Sequence, residues 1–331
     1  MFGGVFRPLR AGGQNQKLYP YIWTTRDSSS SLRKHRNDTD MLINNLTKSH
    51  LTASSAGHHH WFKRRSRRSI PSSRLEMRNP ISYRSLRVWQ RNRDVFFKLW
   101  HSEVPGFFAE PLLVLLAMGG GLGTYVVLEG GERYIKFIAP GIVASYAMFS
   151  AIFECTYGSF VRMKMQKTYD AIIATPVNIE DVVAGEILWG ATRSLLTACA
   201  ILIVISAFGL VSSPWALFAI PLASLAGLMF GSIALFFTSI VPSINSFNYF
   251  FTLFVTPMFF FSGIFFPLSS FDPLVRHLSW IAPLTPVANL TRALVSGEPG
   301  AGAWWGLAII VGIIAVFFPL SLVTMRRRLL K

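Results

Sequence analysis

The sequence predicts an all-α polytopic membrane protein with six transmembrane helices, and three observations carry that reading. The chain of 331 residues is 51% hydrophobic and only 15% charged, too apolar for an ordinary soluble protein of this length. Six stretches, near 107–128, 137–157, 187–211, 215–241, 247–268 and 304–324, are each long and apolar enough to cross a bilayer. The formal net charge of +16 is gathered at one end. Residues 1–101 hold 20 Lys/Arg and 5 Asp/Glu, a balance of +15, while the remaining 230 hold 12 and 11, a balance of +1. Basicity confined to one end speaks against a nucleic-acid-binding core. Cys155 and Cys199 both fall in apolar runs as small packing residues, with no disulfide framework or zinc-ligand spacing around them.

Residues 1–76 are a different material. They are rich in Arg and Ser, include "SSSS", "HHH" and "KRRSRR", carry no sustained apolar period, and read as a disordered basic extension. His58, His59 and His60 could bind a metal, but a stray tract without supporting partners is the simpler reading, and no metal site is expected. The basic run could meet nucleic acid or anionic lipid, or stay a solvated tail, and an Arg/Ser-rich, acid-poor leader is also the composition of a transit peptide. Met77 makes a natural beginning, which leaves 77–331 as the transmembrane domain and the preceding segment dispensable for membrane insertion. In 81–101, Ile81, Leu86, Val88, Trp89, Phe96, Phe97 and Trp100 alternate with five basic residues. That mixture suits an amphipathic helix at the membrane interface, or a short basic anchor before the first span.

The even number of spans places both termini on one side. Lys/Arg in the short flanks 78–101, 158–186 and 325–331 number six, three and four, against two, none and two in 129–136, 212–214 and 269–303. The positive-inside rule therefore predicts cytoplasmic termini and a cytoplasmic 158–186 hairpin. Within that hairpin Tyr169, Ile172 and Ile173 fall on one face of a short helix that Pro176, after Thr175, must stop. Asn178 then looks like an N-cap, with Glu180 and Asp181 in the first turn where the helix dipole favours negative charge. An exposed Tyr-Ile-Ile stripe calls for a covering groove, either on a partner or on this chain's own helix ends.

Only Glu110, Glu154 and Arg193 are charged within the six stretches. Glu154 and Arg193 sit at similar depths on consecutive antiparallel spans, within about 6 to 9 Å of the hairpin-side boundary at about 1.5 Å per residue, so they could pair or each snorkel outward. Gly119 and Gly123, and again Gly227 and Gly231, are four apart and mark close helix packing. Between 263 and 303 the chain is too apolar for a simple loop and too broken for a span. Asp272 before Pro273 and Thr285 before Pro286 look like N-caps with proline at the first helical position, so two short re-entrant external helices are expected, the second carrying Asn289 and Arg292. There is no G-x-x-x-x-G-K-[ST] to cradle a nucleotide, "MGGGLG" at 118–123 lacks the third glycine of a dinucleotide fingerprint, and His101 and His277 lie on opposite sides. The chain reads as a non-catalytic one.

Long motifs then carry a resemblance. "FIAPGIVASYAMFSAIFECTYGSFVRMKMQKTYDAIIATPVNIEDVVAGEILWGATRS", "VSSPWALFAIPLA", "FNYFFTLFVTPMFFFSGIFFPLSSF" and "IAPLTPVANLTRAL" resemble the type-2 class of ABC exporter permeases, and within it the nodulation-factor (lipo-oligosaccharide) exporter subfamily, from about Arg78 to Lys331. The resemblance implies a multi-pass permease subunit of the bacterial inner membrane, exporting a lipo-oligosaccharide or lipid-linked glycan, with hydrophobic drug export as the alternative within the class. It implies a second permease copy and a separate ABC ATPase that carries ATP and magnesium, this chain holding no cofactor. The tip formed by Tyr169, Asp170, Ile172, Ile173, Thr175, Pro176, Glu180 and Asp181 would be the element that couples to that ATPase. Relatives carry His and an acidic residue where this chain has Pro286 and Asn289, which removes a charge-based role for that segment. From another class, an ATP-independent secondary transporter would call for inverted repeats or an intramembrane acidic pair, and neither is visible.

Overall fold

The computed structural model describes residues 82–126, 131, 133–297, 300 and 302–330, so the basic extension and its histidine tract lie outside the described residues. The regular elements among those described are all helices. α1 (Ser85–Val114) runs on through π-helical Leu115–Gly121 and a 3-10 turn, Leu122–Thr124. α2 (Tyr134–Phe153) is prolonged by two π-helical stretches, Glu154–Gly158 and Val161–Met165. The short α3 (Thr168–Ile173) follows, then α4 (Ile179–Ala207) and α5 (Ala219–Ile240). The next span is broken into α6 (Phe247–Phe250), π-helical Phe251–Val255 and α7 (Thr256–Phe261). Two short helices, α8 (Pro273–Ser279) and α9 (Leu284–Ser296), precede the last span, α10 (Gly302–Leu329). Six of these segments are long and apolar enough to cross a membrane.

α4 and α5 form the centre. α4 packs on α1, α2 and α5, while α5 also packs on α2 and α10, and α9 leans on α2 and α10. Small residues let the backbones close. A Cβ on Gly227 would lie 2.7 Å from the Ala191 Cα, and one on Gly119 would lie 2.5 Å from the Ile135 side chain. A Cβ on Gly231 would stand 3.2 Å from the buried Cys155 sulfur. Gly123 differs from expectation: its nearest neighbour, Tyr134, stands at an ordinary 3.7 Å, because α1 loosens into π and 3-10 turns before reaching it. Packing alone does not require glycine there.

The basic segment is helical, as its pattern indicates, but no break separates it from the first span: both belong to α1. Its buried stripe is Ser85, Val88, Asn92 and Phe96, at helical spacing, and that stripe faces α4. The Trp89 indole donates to the Thr192 hydroxyl at 2.9 Å and Phe96 packs edge-on to Trp189. Leu86, Phe97 and Trp100 point outward.

The cap expected at Thr285 is also corrected. α9 begins two residues earlier, after Pro283, because the backbone already turns there with Thr285 N–H donating to the Ala282 carbonyl. Thr285 is instead buried inside the helix, its hydroxyl donating to the Ser279 carbonyl at 2.5 Å. Asp272 does precede Pro273 at the start of α8, and its backbone carbonyl accepts from Arg276.

Candidate functional site

The turn between α2 and α4 is fixed by a left-handed residue, a proline and three hydrogen bonds. Lys167 adopts the left-handed conformation, φ 51°, and swings α3 away from the end of α2. Pro176 ends the helical stretch, and α4 restarts at Ile179 with the Asn178 N–H donating to the Asp181 carboxylate at 3.4 Å. The same carboxylate accepts from the Ser82 N–H at 2.7 Å, while the Arg84 guanidinium donates to the Pro176 carbonyl. The start of α1 is thereby tied to the turn.

Those contacts revise the docking set read from the sequence. Tyr169 is fully buried in its own chain, and Asp181 is 1% exposed, so neither lies on a surface that a partner could touch. Glu180 pairs with Arg326 of α10 at 3.2 Å. Ile172 and Ile173 are half-buried against the core. The outward face is formed by Asp170, Ala171, Ala174, Thr175 and Pro176. Periodicity located the apolar stripe but could not say which body covered it.

Beneath α3 lies a cluster of charge shared by α1, the π-helical end of α2 and α4. The Arg162 guanidinium donates to Glu154 at 2.7 Å and also to Glu186, whose side chain is fully buried. Ser159 adds a hydroxyl bond to Glu186 at 3.1 Å, and Arg91 of α1 approaches the same carboxylate at 4.0 Å. Arg193 pairs with Glu103 at 2.6 Å and stands 3.7 Å from Glu154. Glu154 and Arg193 are therefore neighbours, each with a nearer partner elsewhere. Buried carboxylates and guanidiniums at this spacing compensate one another's lost hydration. Burial, reinforced by the Glu186 carboxylate, pushes the Tyr169 phenol above the usual tyrosine range.

Sequence reasoning missed Arg162 and Glu186. Both were assigned to a hairpin of 158–186, whereas α2 runs as π-helix to Met165 and α4 starts at Ile179, which brings both residues onto packed helices. The available signal was the spacing of Arg162 eight residues after Glu154 on one continuous apolar helix. Gly158 belongs to the arrangement, since a Cβ there would stand 3.1 Å from the Glu154 carboxylate oxygen and 3.4 Å from the Arg162 guanidinium.

At the opposite end, Arg292 of α9 stacks on Phe137 with its guanidinium carbon 4.1 Å from the ring centre, donates to the Gly263 carbonyl at 2.8 Å and reaches Asn289 at 3.4 Å. Pro286 is buried within the same helix. Asp272 and Pro273 stand apart from this group, on α8.

Six apolar spans with a folded turn at one end and short broken helices at the other define a polytopic integral membrane protein. The chain belongs to the ABC-2 type transporter family, whose model matches residues 85–295. It is similar to Nodulation protein J of Sinorhizobium fredii (strain NBRC 101917 / NGR234), 35% identical over 76% of this chain and 95% of that one. Nodulation protein J of Bradyrhizobium diazoefficiens is 36% identical over the same shares. The Inner membrane transport permease YadH of Escherichia coli (strain K12) is 25% identical over 60% of this chain and 77% of its own. The protein is thus a membrane permease subunit of an ABC transporter.

Proposed function

We propose that this permease exports a lipo-oligosaccharide or lipid-linked glycan across the bacterial inner membrane, as two permease copies working with two copies of a separate ATPase that binds ATP and magnesium. Both termini and the α3 turn face the cytoplasm in this reading, which the Lys/Arg bias supports. Similarity to proteins named for nodulation supports the cargo.

The observation that carries the coupling reading is the α3 turn, a short helix with a buried inner face set on a charge cluster and an outer face left uncovered. A partner ATPase fits on Asp170, Ala171, Ala174, Thr175 and Pro176, with the edges of Ile172 and Ile173; Tyr169 acts from beneath, as the anchor of the helix. Small residues at the centre of that face let a groove approach closely. Arginine at both Ala171 and Ala174 should therefore block docking without disturbing the spans. We expect the double variant to reach the membrane, to lose its ATPase on co-purification, and to stop exporting. Anchoring contacts of this kind each cost about 1 to 3 kcal/mol when spoiled. Wild-type stoichiometry of the ATPase on the double variant would overturn the docking assignment.

A further inference from the structure

A cleft of about 530 Å³ opens beside the charge cluster, between α1, the π-helical part of α2 and α4. We propose that it takes the uncharged sugar head of an amphipathic glycolipid, one or two rings deep, with the lipid chain leaving along α1. The inference deepens the cargo reading above and rests on it for the class of molecule. No residue of the cleft belongs to the outward face of the α3 turn.

Three features carry it. The first is a set of unsatisfied donors: Nη1 of Arg91, Nδ2 of Asn92, and Nε of Arg162 and Arg193 are buried with no hydrogen-bond partner, and all four residues line the cleft. Buried donors left in this state call for acceptor oxygens. The second is charge. Three arginines are met by Glu103, Glu154 and Glu186, so the site has no net positive excess; Arg162 and Arg193 spend their guanidinium edges on carboxylates, and Arg91 gives one N–H to the Asn92 amide oxygen at 2.7 Å. What remains is single N–H groups, each suited to one hydroxyl, ether or amide oxygen, with Glu103 and Glu154 on the wall to accept from sugar hydroxyls. The third is apolar surface. Val95 and Leu99 of α1 lie open on the cleft for an alkyl chain, Val95 at 50% and Leu99 at 52% exposure, and half-buried Tyr157 lines it with Phe96 and Trp189 buried at its back.

Two π-helical stretches form the α2 wall, and such irregular turns concentrate at functional sites. They bring Glu154, Tyr157 and Arg162 to one side of the helix. A phospholipid headgroup is the competing occupant, and the carboxylates disfavour it.

The test uses the full-length protein in lipid nanodiscs, titrated below the micelle concentration with dodecyl maltoside and, separately, dodecylphosphocholine, empty nanodiscs being subtracted. The two probes share a chain and differ in the head. We expect saturable binding of the maltoside alone, weakened about tenfold by Asn92→Leu, which keeps the branched shape but removes the unpartnered amide N–H groups together with the oxygen that accepts from Arg91. Trp189→Leu serves as a second variant, and thermal unfolding of both checks that the fold is retained. Absence of saturable maltoside binding, equal binding of the two heads, or binding that both folded variants leave unchanged would overturn the site. Export of a lipo-oligosaccharide by the wild-type permease with its ATPase is measured apart. Its failure with maltoside binding intact would overturn the cargo reading and leave the site standing.

Discussion

The two ends of the bundle are held by different chemistry. At the α3 end, Arg162, Glu154, Glu186, Arg193 and Glu103 form a network in which every ion has an ion for a partner. At the α8–α9 end, the contacts described for Arg292 include an aromatic face, a backbone carbonyl and an amide. Around it the bonds are neutral ones, such as the Tyr134 hydroxyl to the Phe265 carbonyl at 3.0 Å. Charge pairs act over distance and can trade partners as helices shift, whereas an arginine clasped by a ring and a carbonyl is held in one geometry. The difference sets exchangeable ion pairs at one end of the bundle against directional bonds to neutral groups at the other.

The largest effect should come from breaking the network at its centre. Arg162→Leu leaves Glu186 buried with the Ser159 hydroxyl and only a distant arginine, and Glu154 short of its nearest cation, a loss on the order of 3 to 5 kcal/mol. Thermal unfolding of the purified variant in detergent should show a large drop. A drop no greater than that of an exposed-arginine variant such as Arg327→Leu would mean the network is not what holds this end. Arg292→Lys breaks the other end more gently. It keeps the charge but loses the flat stacking on Phe137 and the reach to two acceptors, about 1 to 3 kcal/mol. If Arg162→Lys and Arg292→Lys cost the same, the contrast between the ends collapses.

Much of this architecture was legible in the sequence, and the failures share a cause. Hydropathy located six spans because apolar length is a property of a segment by itself. The α3 helix and the restart at Asn178 were legible for the same reason, being written in proline and capping chemistry. What burial does with a short segment depends on its neighbours. Tyr169 and Asp181 both carried the signature of a surface turn, and both are buried by neighbours the pattern does not name: the segment leading into α1 covers Asp181 through Ser82, and α3 packs Tyr169 against the end of α2 and α4. Glu186 was set outside its span because hydropathy truncates a helix at a charge, although a charge with a partner does not end a helix.

Alkali provides a milder test of the same end. The Tyr169 phenol has a raised pKa in the folded protein, so the folded state keeps this proton where the unfolded chain, titrating near about 10, gives it up. Its contribution is complete below that value and falls as the pH climbs above it, by at most about 1.4 kcal/mol per pH unit. Tyr169→Phe removes the titrating group, and the variant's unfolding temperature should decline less steeply than the wild type's above pH 10. Parallel declines would show that this phenol is not the one being felt.

The smallest expected effect separates two descriptions of Arg193. Depth along the spans pairs it with Glu154, but geometry gives it Glu103 at 2.6 Å and Glu154 only at 3.7 Å. Glu103 is 37% exposed, so its bond to Arg193 is worth on the order of 0.5 to 1 kcal/mol. Exchanging the charges tells the pairs apart. The double variant Glu103→Arg with Arg193→Glu should recover part of what each single change loses, since the new carboxylate meets the new guanidinium at the site's open edge. The corresponding exchange of Glu154 and Arg193 should not recover, because an arginine at 154 faces Arg162, which sits 2.7 Å from the present carboxylate. A double-mutant cycle on unfolding midpoints reads both coupling energies. Recovery in the second exchange and none in the first would restore Glu154 as the true partner and make the observed Glu103 contact incidental.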